Sequence, residues 1–568
     1  MPTYDLVLKG GTIIDGMRTP RFGGDVGIVG GKIAQIGQIS DSDARRVIDC
    51  KDKIVCPGFV DLHTHFDSQI FWDPYCTISG WHGVTSVAIG NCGFGFAPCK
   101  PEDRERSMKT MERNEAIRAT TMQAGMPWDW ETIPEYFDSL ERTPKGVNVL
   151  AYSGLNPVMA YVMGTEAAKT RYCTPEERHQ IKALLSEAMD AGSCGISAQL
   201  LGENSPQMDF DGTPMITDRM SHDDLLDFAG VLAEKGRGFI QVIGADKQLT
   251  EKLCEASGRP VIWNVLSVGT DQHGINHGGY KETIQWLDEA NARGNRIFGQ
   301  AFTVRDTFQF SLDEWNLFDN DPTWRAITLG TPEERMQKMR DPELRAAVRD
   351  AYEPDSITTG AVVGSLENFT VGHVYSEENR QFEGFSIGEI AKKLDKHPVD
   401  TMLELSLTDD LKTLYSSPPL TPNYEALAEV INSNFALPGV SDGGAHMKFM
   451  TMGCYPTEFL SLLVRDNDIM DLEQAHWRLS AYPALAAGFK DRGVLRIGAP
   501  ADIVVYDYDA LDLGPVERMY DFPAGDWRLA QKAVGYEYTI VNGEVTFEGN
   551  DCTKTTPGQL LRHGSANA

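Results

Sequence analysis

Residues 59–65 read Phe59-Val60-Asp61-Leu62-His63-Thr64-His65, an apolar run that ends in two histidines. Cys56-Pro57-Gly58 precedes it as a turn signal. Side chains two apart on a strand point the same way, so His63 and His65 share one face at its end. Seven further apolar runs follow at 85–91, 147–152, 194–199, 238–242, 260–266, 296–302 and 437–442. Helix signals separate them. Thr174-Pro175-Glu176-Glu177 combines an N-cap, a proline at the first helical position and acids in the first turn, and Ala191-Gly192 closes that helix. Thr331-Pro332-Glu333-Glu334 repeats the opening, and Ser386-Ile387-Gly388-Glu389 is a capping box. Eight βα units predict an α/β fold, a closed (β/α)8 barrel of the TIM type over residues 58–490. The gap before the last strand is too long for one such unit, so residues 303–436 are expected to be an insertion over the active-site face.

The ends of the chain read differently. Residues 4–9, 25–29 and 32–36 alternate like strands, with Gly10-Gly11 and Gly30-Gly31 as turns between runs. Residues 536–541, Asn542-Gly543 and 544–547 form a hairpin pattern. Residues 1–57 and 491–568 are therefore expected to build one small β-sandwich from both termini.

Composition narrows the function. The chain of 568 residues is 41% hydrophobic and 24% charged, with 52 Lys+Arg against 82 Asp+Glu and a net charge of −30. That charge disfavours nucleic acid and anionic membrane as partners, both being polyanions. No apolar stretch reaches the ~18 residues of a membrane span. Ten scattered cysteines predict a reducing cytoplasm, and MPTYDLVLKGG lacks the pattern of a secretion signal. A small-molecule substrate is the expected partner, and a homo-oligomer is compatible with the sequence.

Three strand ends carry the chemistry. His63 and His65 offer two imidazoles to a first-row metal, zinc above all. Cys92, in Ile89-Gly90-Asn91-Cys92-Gly93, offers a thiolate on a turn whose glycines allow close approach. Asp442, in Ser441-Asp442-Gly443-Gly444, ends the eighth strand, which pairs with the first in a closed barrel. It is placed to hold the metal and to accept a proton.

These motifs, with the C-terminal run Gly493-Val494-Leu495-Arg496-Ile497-Gly498-Ala499-Pro500-Ala501-Asp502, resemble the amidohydrolase superfamily and, within it, the N-acyl-D-amino-acid deacylase (D-aminoacylase) branch. The resemblance spans essentially the whole chain, and the cysteine on strand two is its most specific element. It implies that His63 and His65 bind metal, that Cys92 is the bridging-type ligand, and that Asp442 is both ligand and general base. It also exposes departures. Gln241 and Asn264 stand where the branch carries histidines on strands five and six, and Leu155 and Met159 where many relatives have a histidine and an arginine. Neutral amides are poor zinc ligands, so a single Zn2+ is expected, though other divalent metals accept such donors.

Gln241, Asn264, His373 and His446 are further candidates to line the substrate pocket or support the ligands. His82 is expected to be structural; His179, His222, His397, His476 and His563 read as surface or tail positions; His273 and His277 read as a loop just past strand six. Phe302, Phe308, Phe310, Trp315, Phe318 and Trp324 give the insertion either its own core or a lid over the substrate. The expected reaction is hydrolysis of a C–N amide bond, in an N-acyl amino acid or related carboxamide, by metal-activated water. The alternatives are a hydantoinase-like cyclic amide hydrolase, disfavoured by the lack of an obvious barrel lysine, and a non-catalytic assembly protein on the same fold.

Overall fold

A computed structural model describes residues 3–203, 205, 207–268, 279–303, 307–314, 316, 318, 321–353, 357–359, 362–418 and 423–564. His273, His277 and Trp315 lie outside the described residues.

Eight parallel strands follow one another round the sheet in chain order: Phe59–Asp61, Val84–Ile89, Asn148–Gly154, Gly195–Gln199, Phe239–Ile243, Val261–Leu266, Ile297–Ala301 and Ala436–Pro438. The ring closes just beyond the strands proper. Thr64 bridges Gly443 in parallel, and the His65 N–H donates to the Gly443 carbonyl at 2.7 Å. Side chains of seven strands and of Cys194, just before strand four, join one buried cluster: Val60, Ala88, Leu150, Cys194, Phe239, Ile262, Phe298 and Leu437. The barrel is thus a filled core, and chemistry is confined to its C-terminal rim.

Both ends of the chain build the small domain, as expected. Nine strands hydrogen-bond as one continuous sheet, with Ile503–Tyr506 antiparallel to Ile54–Pro57 as the seam between the halves. A separate apolar core lies within it, with Leu8, Val26, Val55, Ile503 and Ile540 among its members. Gly58 carries the chain from this sheet into the barrel, where a Cβ would stand 2.2 Å from the Thr85 side chain. Asn542 and Gly543 (φ 46° and 84°) turn the predicted hairpin. Gly10-Gly11 is not a turn: Tyr4–Ile13 runs through it as one strand, and the register shift between Leu8 and Gly11 is a bulge at Gly10, whose φ is 72°.

The segment between the last two barrel strands holds helices and a three-stranded sheet. Phe310, Phe318, Phe369 and Tyr415 pack ring to ring inside it, so it has an aromatic core. Phe308 stacks on Phe449 at 4.9 Å and ties it to the barrel rim. The predicted capping box at Ser386 forms, and the predicted N-caps Thr174 and Thr331 each make one as well. No described helix is long and apolar enough to cross a membrane, and none of the ten cysteines is in a disulfide.

Strand contact sets one large stability effect. At Gly195 a Cβ would lie 1.7 Å from the Phe239 carbonyl oxygen. Gly195→Ala forces barrel strands four and five apart and is expected to cost about 3 kcal/mol or more. Gly230, inside the helix His222–Lys235, has nothing within 4 Å of such a Cβ. Gly230→Ala is therefore expected to be neutral or stabilising, by up to about 1 kcal/mol. Thermal melts of the two variants check the contrast.

Candidate metal centre

Strand one ends at Asp61, whose Oδ1 accepts the His63 N–H at 3.1 Å. The chain then bends over the barrel mouth and brings both imidazoles inward. Their ring centroids are 5.4 Å apart, and both residues are buried.

The Cys92 turn is built to approach them. Gly90, Cys92 and Gly93 all have positive φ (82°, 57° and 77°). Asn91 Nδ2 donates to the Thr64 and Ala88 carbonyls at 3.0 and 2.9 Å, pinning the turn to strand one. Ser197 Oγ accepts the Gly93 N–H at 3.0 Å and donates to the Gly90 carbonyl. Cys92 Sγ consequently lies 3.3 Å from His63 Nε2. One donor atom each from His63, His65 and Cys92 fall within 4.8 Å of one another.

Asp442 reaches the same point from strand eight, again from a left-handed residue (φ 44°). Its Oδ1 is 3.1 Å from His63 Nε2 and 3.7 Å from His65 Nε2, while Oδ2 is 4.0 Å from His446 Nε2. Ser441 Oγ donates to the His63 carbonyl at 3.0 Å and locks the two strand ends together.

A chain of amides fixes which His63 nitrogen faces the centre. The Cys92 N–H donates to Gln241 Oε1 at 2.8 Å, so Gln241 Nε2 must be its donor, to Asn264 Oδ1 at 2.7 Å. Asn264 Nδ2 then donates to Gln300 Oε1 at 2.9 Å, and Gln300 Nε2 to the Gly439 carbonyl. A backbone donor at one end and a backbone acceptor at the other leave one polarity for the series. Asn264 Oδ1 is thus an acceptor, and His63 Nδ1, 3.1 Å away, is its N–H donor. Nε2 is the ring nitrogen that faces Cys92 and Asp442.

Sequence reasoning missed Glu115, the last residue of the helix Arg104–Glu115. It is 1% exposed, Oε1 lies 3.8 Å from His65 Nδ1, and Oε2 lies 3.5 Å from His446 Nε2 without a hydrogen-bond partner. Burial, reinforced by Asp442, pushes its carboxyl well above the usual range. Burial holds His65 down at about 3, a neutral ring with a lone pair to give. It also opposes charge on His63 and Asp442, but attraction wins: Cys92 and then Asp442 raise the imidazole, and His63 takes the Asp442 carboxyl well below the usual range.

The other candidates separate. Gln241, Asn264 and His446 stand at the centre as described. His373 does not: its side chain is 63% exposed and 3.5 Å from Glu383 on the insertion, because the aromatic core beneath it turns that loop outward. His82 is structural, held between Thr457 Oγ1 and the Gln531 carbonyl. His476 is not at the surface; it is fully buried, stacked on Phe59 and 2.8 Å from the Tyr506 hydroxyl, because the small domain covers that helix. His563 is buried too, against Phe489.

Residues 46–547 match the model of the amidohydrolase family. The chain belongs to that family. It is 24% identical to a D-aminoacylase of Alcaligenes xylosoxydans xylosoxydans over 99% of this chain and 98% of the relative. An N-acyl-D-glutamate deacylase of the same organism is 26% identical, over 99% and 98%. Among solved structures, the N-acyl-D-glutamate deacylase of Bordetella bronchiseptica superposes with a TM-score of 0.65 at 22% identity, covering 99% of this chain and all of the other. That protein was crystallised with zinc and a phosphonate that mimics the tetrahedral intermediate of its reaction.

Proposed function

We propose that this amidohydrolase cleaves the amide of N-acyl amino acids, with one divalent cation, zinc foremost, held by His63, His65, Cys92 and Asp442. The observation that carries the reading is the buried cluster of His63, His65 and Cys92 donors at the barrel rim, with Asp442 Oδ1 3.1 Å from His63 Nε2 and 3.7 Å from His65 Nε2. Two nitrogens and a thiolate suit zinc, and a carboxylate completes the set. Two relatives aligned over 99% of this chain are a D-aminoacylase and an N-acyl-D-glutamate deacylase, which supports the substrate class.

A single cation fits the donors present. The positions beside His63 on strands five and six carry Gln241 and Asn264, whose amides are already spent on each other, on Cys92 and on His63. Among the described residues of strands five and six, no imidazole or carboxylate is offered to a second ion.

When bound, the cation activates a water at neutral pH and polarises the scissile carbonyl. The rest falls to the chain. Asp442 keeps Oδ1 toward the imidazoles and leaves Oδ2 to take the proton of the attacking water. The same oxygen returns it to the departing nitrogen, without which an amine is a poor leaving group. Asn264 fixes the His63 tautomer; a partner of this kind holds a ligand ring in place and typically affects affinity 10–100-fold. Asn264→Leu is expected to weaken zinc binding by about 10-fold or more, measured by competition with a chromogenic chelator.

The test of function is a hydrolysis screen of the zinc-loaded protein on N-acyl-D-, N-acyl-L- and aryl amides, with hydantoins as a separate arm. Release of free amino acid from an N-acyl amino acid, lost on chelation and restored by zinc, is the expected result. Turnover of hydantoins alone refutes the linear-amide reading.

A further inference from the structure

The side chains of the centre differ in exposure. His63, His65 and Glu115 are 2%, 3% and 1% exposed, Asp442 and His446 16% and 20%. Solvent therefore meets the centre across Asp442 and His446. One loop, residues 442–450, carries both. At Gly444 a Cβ would stand 2.8 Å from the His65 carbonyl, so the loop lies directly on the end of strand one. Asp442 and His446 are both left-handed, with φ of 44° and 52°. Such a backbone persists at non-glycine residues only where the surroundings fix it. Here the His446 N–H donates to the Glu115 carbonyl at 2.8 Å, and the His446 carbonyl accepts the Phe449 and Met450 N–H groups at 2.8 and 2.9 Å. The His446 ring rests 5.8 Å from that of Phe449, which is itself stacked on Phe308.

The ring is held in place, yet its Nε2 has hydrogen-bonding capacity left over. Away from the centre, His82, His476 and His563 each tie Nε2 to a protein oxygen between 2.8 and 3.1 Å away. His446 Nε2 lies 3.5 Å from Glu115 Oε2 and 4.0 Å from Asp442 Oδ2. Both distances exceed the ~2.7–3.2 Å of a formed N–H···O bond. The ionised Asp442 carboxylate on that side favours the tautomer with its proton on Nε2. Nε2 is then a donor whether the ring is neutral or charged.

We propose, resting on the deacylase reading, that His446 is a catalytic residue whose Nε2–H donates a hydrogen bond to the carbonyl oxygen of the scissile amide and holds it more tightly as that oxygen gains charge. The water that gives its proton to Asp442 Oδ2 sits one hydrogen bond from it, and the carbon under attack lies just beyond. The oxygen on that carbon comes within reach of a nitrogen 4.0 Å from Oδ2. No proton leaves Nε2: the proton of the water passes to Asp442 and on to the departing nitrogen. With one cation expected, a second donor for the carbonyl oxygen has to come from the chain, and the exposed side of the centre offers His446. A donor fixed in advance needs no reorganisation as charge develops, and removing one typically lowers kcat about 100–1000-fold.

The test compares His446→Phe, which keeps a ring beside Phe449 and removes the donor, with the zinc-loaded wild-type chain. The probes are an N-acetyl amino acid that the wild type hydrolyses and its methylphosphonamidate, whose tetrahedral, charged phosphorus centre imitates the attacked carbonyl. His446→Phe is expected to lower kcat about 100-fold or more with KM little changed, and to weaken phosphonamidate binding by a similar factor. Zinc affinity and melting temperature are expected to stay close to wild type. His446→Gln returns an N–H near the place of Nε2 and is expected to recover about tenfold or more of both losses. Unchanged kcat and phosphonamidate affinity in His446→Phe overturn the inference. So does a raised KM at constant kcat, which reduces the contact to ground-state binding, or lost zinc affinity, which makes His446 a support for the ligands. Failure of the wild-type chain to hydrolyse any N-acyl amino acid is a separate result, and it overturns the deacylase reading itself.

Discussion

Asp442→Asn is expected to lower kcat on an N-acyl amino acid by about 1000-fold or more, the upper part of the range for removing a positioned acid–base group. The amide keeps the size of the side chain and an oxygen toward His63 and His65. It cannot take a proton from water or return one to the leaving nitrogen. Zinc content under saturating metal is therefore expected to change little, and KM less than kcat. Steady-state kinetics with parallel metal analysis makes the distinction. A variant that turns over near the wild-type rate removes Asp442 from the proton-transfer role and leaves it a ligand at most.

The second large effect concerns the thiol. Cys92→Ser substitutes an oxygen for a sulfur in the same turn, where the positive φ and the flanking glycines are undisturbed. A serine hydroxyl stays protonated where a thiolate forms readily under a cation's charge, so the exchange removes a negative ligand. Zinc affinity is expected to fall by more than about 100-fold, beyond the 10–100-fold typical of residues that merely orient ligands. The fold is expected to tolerate the change, because the Cys92 N–H bond to Gln241 is a backbone bond that serine keeps. Equilibrium zinc competition gives the affinity, and circular dichroism the fold. An unchanged affinity means that Cys92 is only a small buried side chain.

Much of this arrangement was legible in the chain, for identifiable reasons. Barrel strands buried on both faces read as short apolar runs, and all eight appear where such runs stand. The Cys92 and Asp442 turns announce themselves through glycines that only close approach explains. The losses have causes as definite. Asp512–Met519 has no fully buried residue and carries Gly514 and Pro515, so it lacks the alternation that marks a strand, and only its pairing with Arg528–Val534 makes it one. Glu115 closes a helix rich in Arg, Lys and Glu, where an acid reads as solvated; only the fold shows that this end is capped by the rim of the barrel. His476 looks exposed for the same local reason and is covered by a domain whose strands come from the two ends of the chain. Gln241 and Asn264 were visible as departures, but their meaning was not. It needed Gln300 and the Gly439 carbonyl to show a closed series of hydrogen bonds in place of free ligands.

The central claim is a mixed nitrogen–sulfur centre at the barrel mouth, and X-ray absorption at the zinc edge of the metal-loaded protein addresses it most directly. One sulfur at about 2.3 Å with two imidazole nitrogens at about 2.0 Å is the predicted shell, the sulfur vanishing in Cys92→Ser. A zinc shell of oxygen and nitrogen alone in the wild-type protein contradicts the account.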